Sequence, residues 1–281
     1  MISGKTRLLG VVGYPVEHSA SPVMHNAAIA KTGIDFAYVP FSVHPNRVAD
    51  VPGAMRSLNI RGLNVTVPHK VALMEGLDQI SAEARTIGAV NTIDNRGGQL
   101  IGHNTDAYGV IASVRADGGL HKLPTSVVLL GAGGAARAIL YALLQTDEVK
   151  NVQLINRTKA NAESLAAELD VDGRRVSVAS IDNTKTLREA GLLINATSVG
   201  MYPQQNVSPV TDLSLLHDRM VVLDIVYKPL RTRLLRQAEE AGAHTIDGLG
   251  MLVHQGARSF EIWTDVNAPV NHMRRALQQI Q

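Results

Sequence analysis

Residues 127–140 read VVLLGAGGAARAIL, and the fold turns on how this stretch is read. Val127 to Leu130 form a short apolar run that opens with two β-branched residues, as a buried strand does. Gly131, Gly133 and Ala136 then follow at the spacing G-x-G-x-x-G/A, with Ala132, Gly134 and Ala135 filling the loop, before helix-forming residues take over. The steric logic is specific. Gly131 permits a tight turn, Gly133 lets backbone N–H groups approach a pyrophosphate, and a small Ala136 lets the helix pack on the strand. An ordinary strand-to-helix turn is the competing reading. The strand before, the helix after and further βα units downstream favour a dinucleotide site.

The end of the next strand selects the dinucleotide. A free ribose is usually held by an Asp or Glu about 20 residues past the first glycine. Here VQLIN runs into Asn156, Arg157, Thr158 and Lys159, which offer donors and cations but no carboxylate. That suits a 2′-phosphate, so NADP is expected. A solvated loop charge is the plain alternative for Arg157.

Working outward, strand-like and helix-like segments alternate along the chain, the pattern of an α/β protein with largely parallel sheets. In the first part 7–13, 36–43 and 61–67 read as strands, with helices over 21–33 and 46–59. The pair AVNTID and QLIGHN around NRGG reads as a hairpin, which makes that sheet mixed. A connecting helix is expected over 105–119. Strands near 126–130, 152–156, 175–179, 192–196 and 221–226 follow, with helices near 134–145, 159–169 and 231–242. The final stretch has helical spacing, with Pro269 in the first turn of a last helix, and the apolar stripe of 251–263 reads as core.

Composition narrows the function classes. Lys+Arg number 27 and Asp+Glu 25, scattered along the chain, which argues against a nucleic-acid or anionic-membrane surface. With no cysteine, disulfides, thiolate nucleophiles and cysteine metal sites are excluded, and a reducing cytoplasm fits. No stretch reads as a signal peptide or a membrane span. No histidine pair has ligand spacing, so no metal is expected, and His18, His25 and His69 read as structural.

A second stretch, NVTVPHK (64–70), raises a question of its own. Asn64 to Val67 alternate like a half-buried strand, Pro68 stops it, and HKVALMEGL reads as a short helix. Lys70 would then sit in a helix's first turn, where the macrodipole disfavours a cation by about 0.3–1 kcal/mol. Asn64 and Thr66 share a face by the two-residue period, so this stretch can line a wall with polar groups. Two more sites read both ways. Ser21 before Pro22 is an N-cap with proline at N1, and with Ser19 it is also an anion site; Asp106 after Thr105 is also an ordinary helix start.

HSASP (18–22), NVTVPHK (64–70), GAVNT (88–92), NTDAYG (104–109), GAGGAARA (131–138), NRT (156–158), NATSVGM (195–201), DIVYKP (224–229) and GLGMLVHQ (248–255) together resemble the ordered motifs of the shikimate dehydrogenase family. They span nearly the whole chain. The resemblance implies a substrate-binding and catalytic domain over 1–104, a connecting helix and linker over 105–123, an NADP-binding Rossmann domain over 124–247, and C-terminal helices over 248–281 that return to the first domain. It places the active site in the cleft between the domains and implies NADPH-dependent, reversible reduction of 3-dehydroshikimate to shikimate by a cytoplasmic homodimer on the route to the aromatic amino acids.

By the same resemblance Lys70 and Asp106 are the catalytic pair, and Ser19, Ser21, Asn64, Thr66, Asn91, Tyr227 and Gln255 contact substrate. Thr197, Ser198, Gly248 and Met251 join the glycine loop and residues 156–159 at the cofactor. Members of the family often carry a second basic residue a few positions beyond NRT; this chain has Asn161 there, with Lys159 as a stand-in. The alternatives are a dual quinate/shikimate dehydrogenase accepting NAD, and a regulator that binds NADP without turnover.

Overall fold

The computed structural model describes residues 2–179 and 185–280. The chain forms two compact units, one of residues 1–106 with 253–280 and the other of 107–252. In chain order the first part contributes β1 (Arg7–Gly13), α1 (Ser21–Thr32), β2 (Phe36–Ser42), α2 (Val51–Ser57), β3 (Gly62–Val65), β4 (Gln79–Ile80), α3 (Ala82–Ile87), β5 (Thr92–Arg96) and β6 (Gln99–His103). Then follow α4 (Asp106–Ala116), β7 (Ser126–Leu130), α5 (Gly134–Leu144), β8 (Asn151–Ile155), α6 (Lys159–Leu169), β9 (Val176–Ala179), β10 (Leu192–Asn195), β11 (Val221–Asp224), α7 (Arg233–Glu240), β12 (His244–Ile246), α8 (Gly248–Thr264) and α9 (Val270–Gln278).

The first unit is built on a six-stranded mixed sheet of order β2-β1-β3-β5-β6-β4. β1 pairs in parallel with β2 and β3, whereas β3, β5 and β6 run antiparallel. The hairpin between β5 and β6 turns on Gly97 and Gly98, both at positive φ, as a two-residue turn matching strand twist requires. Val12, Leu63, Val65, Ile93 and Leu100 pack one core with Met55 and Leu73. Trp263 of α8 is buried too, and its indole N–H donates to the Ile93 carbonyl at 2.9 Å. Val253, Ala257, Phe260 and Trp263 are all at most 4% exposed, so the apolar stripe of α8 is core.

The second unit carries six parallel strands in the order β12-β11-β10-β7-β8-β9. β7, first in sequence, lies between β8 and β10, so the order reverses there. Ligands of open α/β sheets bind at such a switch point, beyond the carboxyl ends of the strands. Gly131 follows β7 directly.

Four local expectations are corrected. The helix over 46–59 is split into a 3-10 helix, Pro45–Asp50, and α2, because Pro52 has no N–H to continue an α-helical ladder back to Val48. Residues after Pro68 form a turn and a five-residue 3-10 helix, Ala72–Gly76, so Lys70 precedes a helix rather than opening one. Ser21 is the first residue of α1 and not its cap: Ala20 occupies the cap position, with no side-chain bond. Pro269, expected in the first turn of the last helix, is likewise its cap, and β4, α3 and β12 add elements that the periodicity does not reveal.

Candidate active site

Lys70 is held from both its backbone and its tip. β3 ends at Val65, the Thr66 N–H still donates to the Val12 carbonyl at 2.9 Å, and the His69 N–H donates to the Thr66 carbonyl at 3.0 Å. His69 is buried, with ring Nε2 2.7 Å from the Val43 carbonyl, a structural role. The Lys70 carbonyl accepts from the Val90 N–H at 2.8 Å, tying the lysine to the segment that leads into Asn91. Its Nζ donates to Asp106 Oδ2 at 2.6 Å, with the two side chains 16% and 8% exposed. A five-residue 3-10 helix has little macrodipole, so the carboxylate and not the helix end accounts for where this lysine sits.

Asp106 is fixed in turn. Its N–H donates to Asn104 Oδ1 at 3.0 Å, and its Oδ1 accepts from Asn91 Nδ2 at 2.8 Å. Thr105 does not cap α4 with its hydroxyl. That group accepts from Asn91 Nδ2 at 2.9 Å, while the Thr105 N–H donates to Asn91 Oδ1 at 2.7 Å.

Behind the pair lies a buried polar network. Ser259 Oγ accepts from Asn64 Nδ2 at 3.0 Å and lies 2.8 Å from Thr92 Oγ1 and 3.1 Å from Thr105 Oγ1. Asn64 Oδ1 accepts from the Tyr38 hydroxyl at 2.7 Å. Burial pushes the Tyr38 phenol well above its ordinary range, while a hydrogen bond with Ser21 pulls the other way. His25 stacks on Tyr38 with centroids 4.3 Å apart, and burial pushes its imidazole down to about 3, so it is neutral. Tyr38 thus connects through Asn64 and Ser259 to Thr105, and from there through Asn91 to Asp106.

The other candidates of this unit are looser. Ser19 Oγ accepts from the Ser21 N–H at 3.3 Å, Thr66 is half-buried, and Gln255 Oε1 is 3.5 Å from Asn91 Nδ2, at the edge of bonding range. The sequence reading passed over Tyr38, Thr92, Thr105 and Ser259. Thr92 and Thr105 lie within the quoted motifs GAVNT and NTDAYG, and Ser259 follows Gln255 by one helical turn and so shares its face.

In the second unit, Gly131 has φ +112°, and a Cβ there would lie 3.0 Å from the Ala196 carbonyl oxygen. Only glycine fits both constraints. A Cβ at Gly133 would meet nothing within 4 Å, and Gly133 stands at the N-cap of α5 with no side-chain cap bond. The helix start, with Gly134 and Ala135 in its first turn, therefore offers open backbone N–H groups, which fits a pyrophosphate. After β8, Asn156 Nδ2 donates to the Thr158 carbonyl at 2.8 Å, shaping the loop that presents Arg157 to solvent. Lys159 is an exposed partner of Glu163 at 2.9 Å, a weak pair, whereas Arg157 has no ion-pair partner among the described residues.

Thr197 turns inward: its hydroxyl donates to Asn195 Oδ1 at 2.7 Å. Ser198 is exposed, Met251 is 6% exposed, and Gly248 packs on the backbone of Ile225 and Val226. Burial raises the Tyr227 phenol above its ordinary value. Among the described residues no cluster of three potential metal ligands occurs, and no helix is long and apolar enough to cross a membrane.

One unit holds a half-buried ammonium on a carboxylate, and the other a glycine turn whose open N–H groups fit a phosphate-bearing ligand. Three family models match the chain: the shikimate dehydrogenase substrate binding domain over residues 11–93, shikimate / quinate 5-dehydrogenase over 118–249, and the shikimate 5′-dehydrogenase C-terminal domain over 248–278. A shikimate dehydrogenase (NADP(+)) of Methanopyrus kandleri is 43% identical over 280 residues, covering 98% of this chain and 96% of that protein. A crystal structure of a shikimate dehydrogenase in complex with NADP+ is similar at a TM-score of 0.94 and 41% identity, covering 100% of this chain and 97% of the other. Shikimate 5-dehydrogenase from Listeria monocytogenes, in complex with shikimate and NAD, gives 0.91 at 38% identity, with 98% of each chain covered.

Proposed function

This chain belongs to the shikimate dehydrogenase family, and from that membership we propose that it catalyses the NADP-dependent, reversible reduction of 3-dehydroshikimate to shikimate, a step toward the aromatic amino acids. The observation that carries the chemistry is the 2.6 Å contact between Lys70 Nζ and Asp106 Oδ2. NADPH, when bound, supplies the hydride. Hydride addition to a ketone leaves negative charge on oxygen, and a half-buried ammonium is suited to meet it with a hydrogen bond and then a proton. Asp106 keeps that ammonium oriented, and Asn91 keeps Asp106 oriented through its other oxygen. In the reverse direction the same lysine accepts the hydroxyl proton as hydride leaves.

Ser19 and Ser21, at the start of α1, are the proposed holders of the substrate carboxylate, and Asn64, Thr66, Asn91, Tyr227 and Gln255 of the ring hydroxyls. Asn64 acts partly through the network, since its Oδ1 already accepts from Tyr38 and its amide hydrogens face Ser259, Thr92 and the Asn91 carbonyl. The cofactor residues proposed are Gly131 to Ala135 for the pyrophosphate and Asn156 to Lys159 for the 2′-phosphate, with Ser198, Gly248 and Met251 along the remainder. Thr197 is better placed to shape its own loop, because its hydroxyl is spent on Asn195. A cytoplasmic homodimer is part of the same reading, and sedimentation velocity tests the dimer.

Initial rates with purified protein, crossing shikimate and quinate with NADP+ and NAD+, test the proposal. Shikimate with NADP+ should dominate. Robust quinate or NAD+ turnover would move the assignment to the broader-specificity branch, and NADP+ binding without turnover would favour a regulator.

A further inference from the structure

The second unit holds a buried carboxylate that the chemistry above leaves unused. Asp224, the last residue of β11, has no exposed surface. Its Oδ1 accepts from Asn195 Nδ2 at 3.0 Å and from the Val226 N–H at 3.1 Å, and its Oδ2 accepts from the Thr232 hydroxyl at 2.7 Å. Asn195, the last residue of β10, is equally buried. Its Oδ1 accepts from both the N–H and the hydroxyl of Thr197, at 3.1 and 2.7 Å, and its Nδ2 also reaches the Val199 carbonyl at 3.2 Å. Thr197 Oγ1 closes the loop by accepting from the Val199 N–H at 3.1 Å.

Both ends of this relay reach proposed functional groups. Residues 196–197 lie against the glycine turn, for a Cβ on Gly131 would be 3.0 Å from the Ala196 carbonyl and 3.2 Å from Thr197 Cγ2. Val226 precedes Tyr227, and the Ile225–Val226 backbone is pressed by Gly248, where a Cβ would approach the Ile225 carbonyl to 2.4 Å. A helix N-cap needs only the Thr232 hydroxyl, which serves Leu235, so holding α7 does not explain the carboxylate. Burial lifts the Asp224 carboxyl to about 6, and its three donors lower it against that effect. Such a group is costly to keep unless its bonds are all made.

Resting on the NADP-dependent reading, we propose that Asp224 is a positioning residue: through Asn195 it sets the 196–199 loop against the cofactor's glycine turn, and through the Val226 N–H it sets the segment that presents Tyr227. It touches neither ligand.

The test is NADP+ titration by calorimetry, with thermal unfolding and shikimate kinetics measured in parallel, on wild type, Asp224→Ala and Thr232→Val. Asp224→Ala removes the oxygen that Asn195 and the Val226 N–H share, whereas an amide at 224 would keep both bonds through its carbonyl oxygen. We expect the NADP+ Kd of Asp224→Ala to rise at least ten-fold and its kcat to fall, with binding stoichiometry still near one. Thr232→Val loses a bond to the same carboxylate but not the two relays, so its Kd should change less than three-fold even if its melting temperature falls as far. Where Asp224→Ala folds poorly, Asn195→Ala breaks the relay to 196–199 and carries the same expectation. Wild-type Kd with reduced stoichiometry in Asp224→Ala, or equal Kd losses in both variants, would overturn the positioning role alone. Failure of wild type to bind NADP+ would overturn the cofactor reading and this inference together.

Discussion

The surroundings of Lys70 and of Gly131 are built in opposite ways. Around Lys70, side chains recognise side chains: Asp106, Asn91, Thr92, Asn64 and Ser259 are all buried, and each is partnered within the group. Around Gly131 the proposed cofactor-binding groups are backbone N–H groups at an uncapped helix start and the exposed side chain of Arg157. The first arrangement is pre-organised and brittle at its ion pair, because removing one charge strands the other. The second is graded, since backbone groups survive most substitutions and an exposed arginine stands alone.

The hardest test of this contrast is Lys70→Met. It removes the proposed proton donor and leaves Asp106 buried without its cation, so kcat should fall by about 10²–10⁴-fold while NADP+ affinity by calorimetry stays at the wild-type value. Turnover within ten-fold of wild type would remove the pair from the chemistry. Arg157→Ser comes next. Losing a charge-assisted bond of about 1.5–3 kcal/mol should lower the NADP+ over NAD+ ratio of kcat/KM by about 10–100-fold with kcat nearly unchanged. An unchanged ratio would shift the discrimination to other members of 156–159.

The smallest effect belongs to Ser259→Ala. Asn64 Nδ2 keeps Thr92 Oγ1 and the Asn91 carbonyl, each at 3.3 Å, so stability should fall by only about 1 kcal/mol in denaturant unfolding. Any loss of turnover should appear without change in NADP+ binding. A weakened NADP+ affinity in this variant would break the separation between the two regions.

Much of the second unit could be read from sequence because its determinants are local. A glycine turn after an apolar run, and a carboxylate-free strand end, are statements about neighbouring residues, and they lie where expected. The first unit was legible in its strands and hairpin but less so in its site. Lys70 looked like a dipole conflict only because the 3-10 helix behind it was read as an α-helix. Strands of two and three residues, β4 and β12, carry no measurable period. Ser259, in α8, meets Asn64 across a separation of 195 residues, and no spacing rule joins such a pair. Tyr38 belongs to none of the motifs, and nothing in its neighbours announces that its hydroxyl donates to Asn64 Oδ1.

The first unit is assembled from both ends of the chain, residues 1–106 and 253–280, and this bears on synthesis. Domains ordinarily fold in the order in which they leave the ribosome. Here the earliest unit to emerge lacks Trp263, which lies by His25 and Tyr38 at 5.6 and 6.2 Å, and lacks α9, which packs on α1. The dinucleotide-binding unit is continuous and can finish first. Until the last helices are translated, the nascent chain carries Lys70, Asp106 and Asn91 without the Ser259 hydroxyl behind them, so the proposed catalytic constellation is among the last parts of the molecule to be completed.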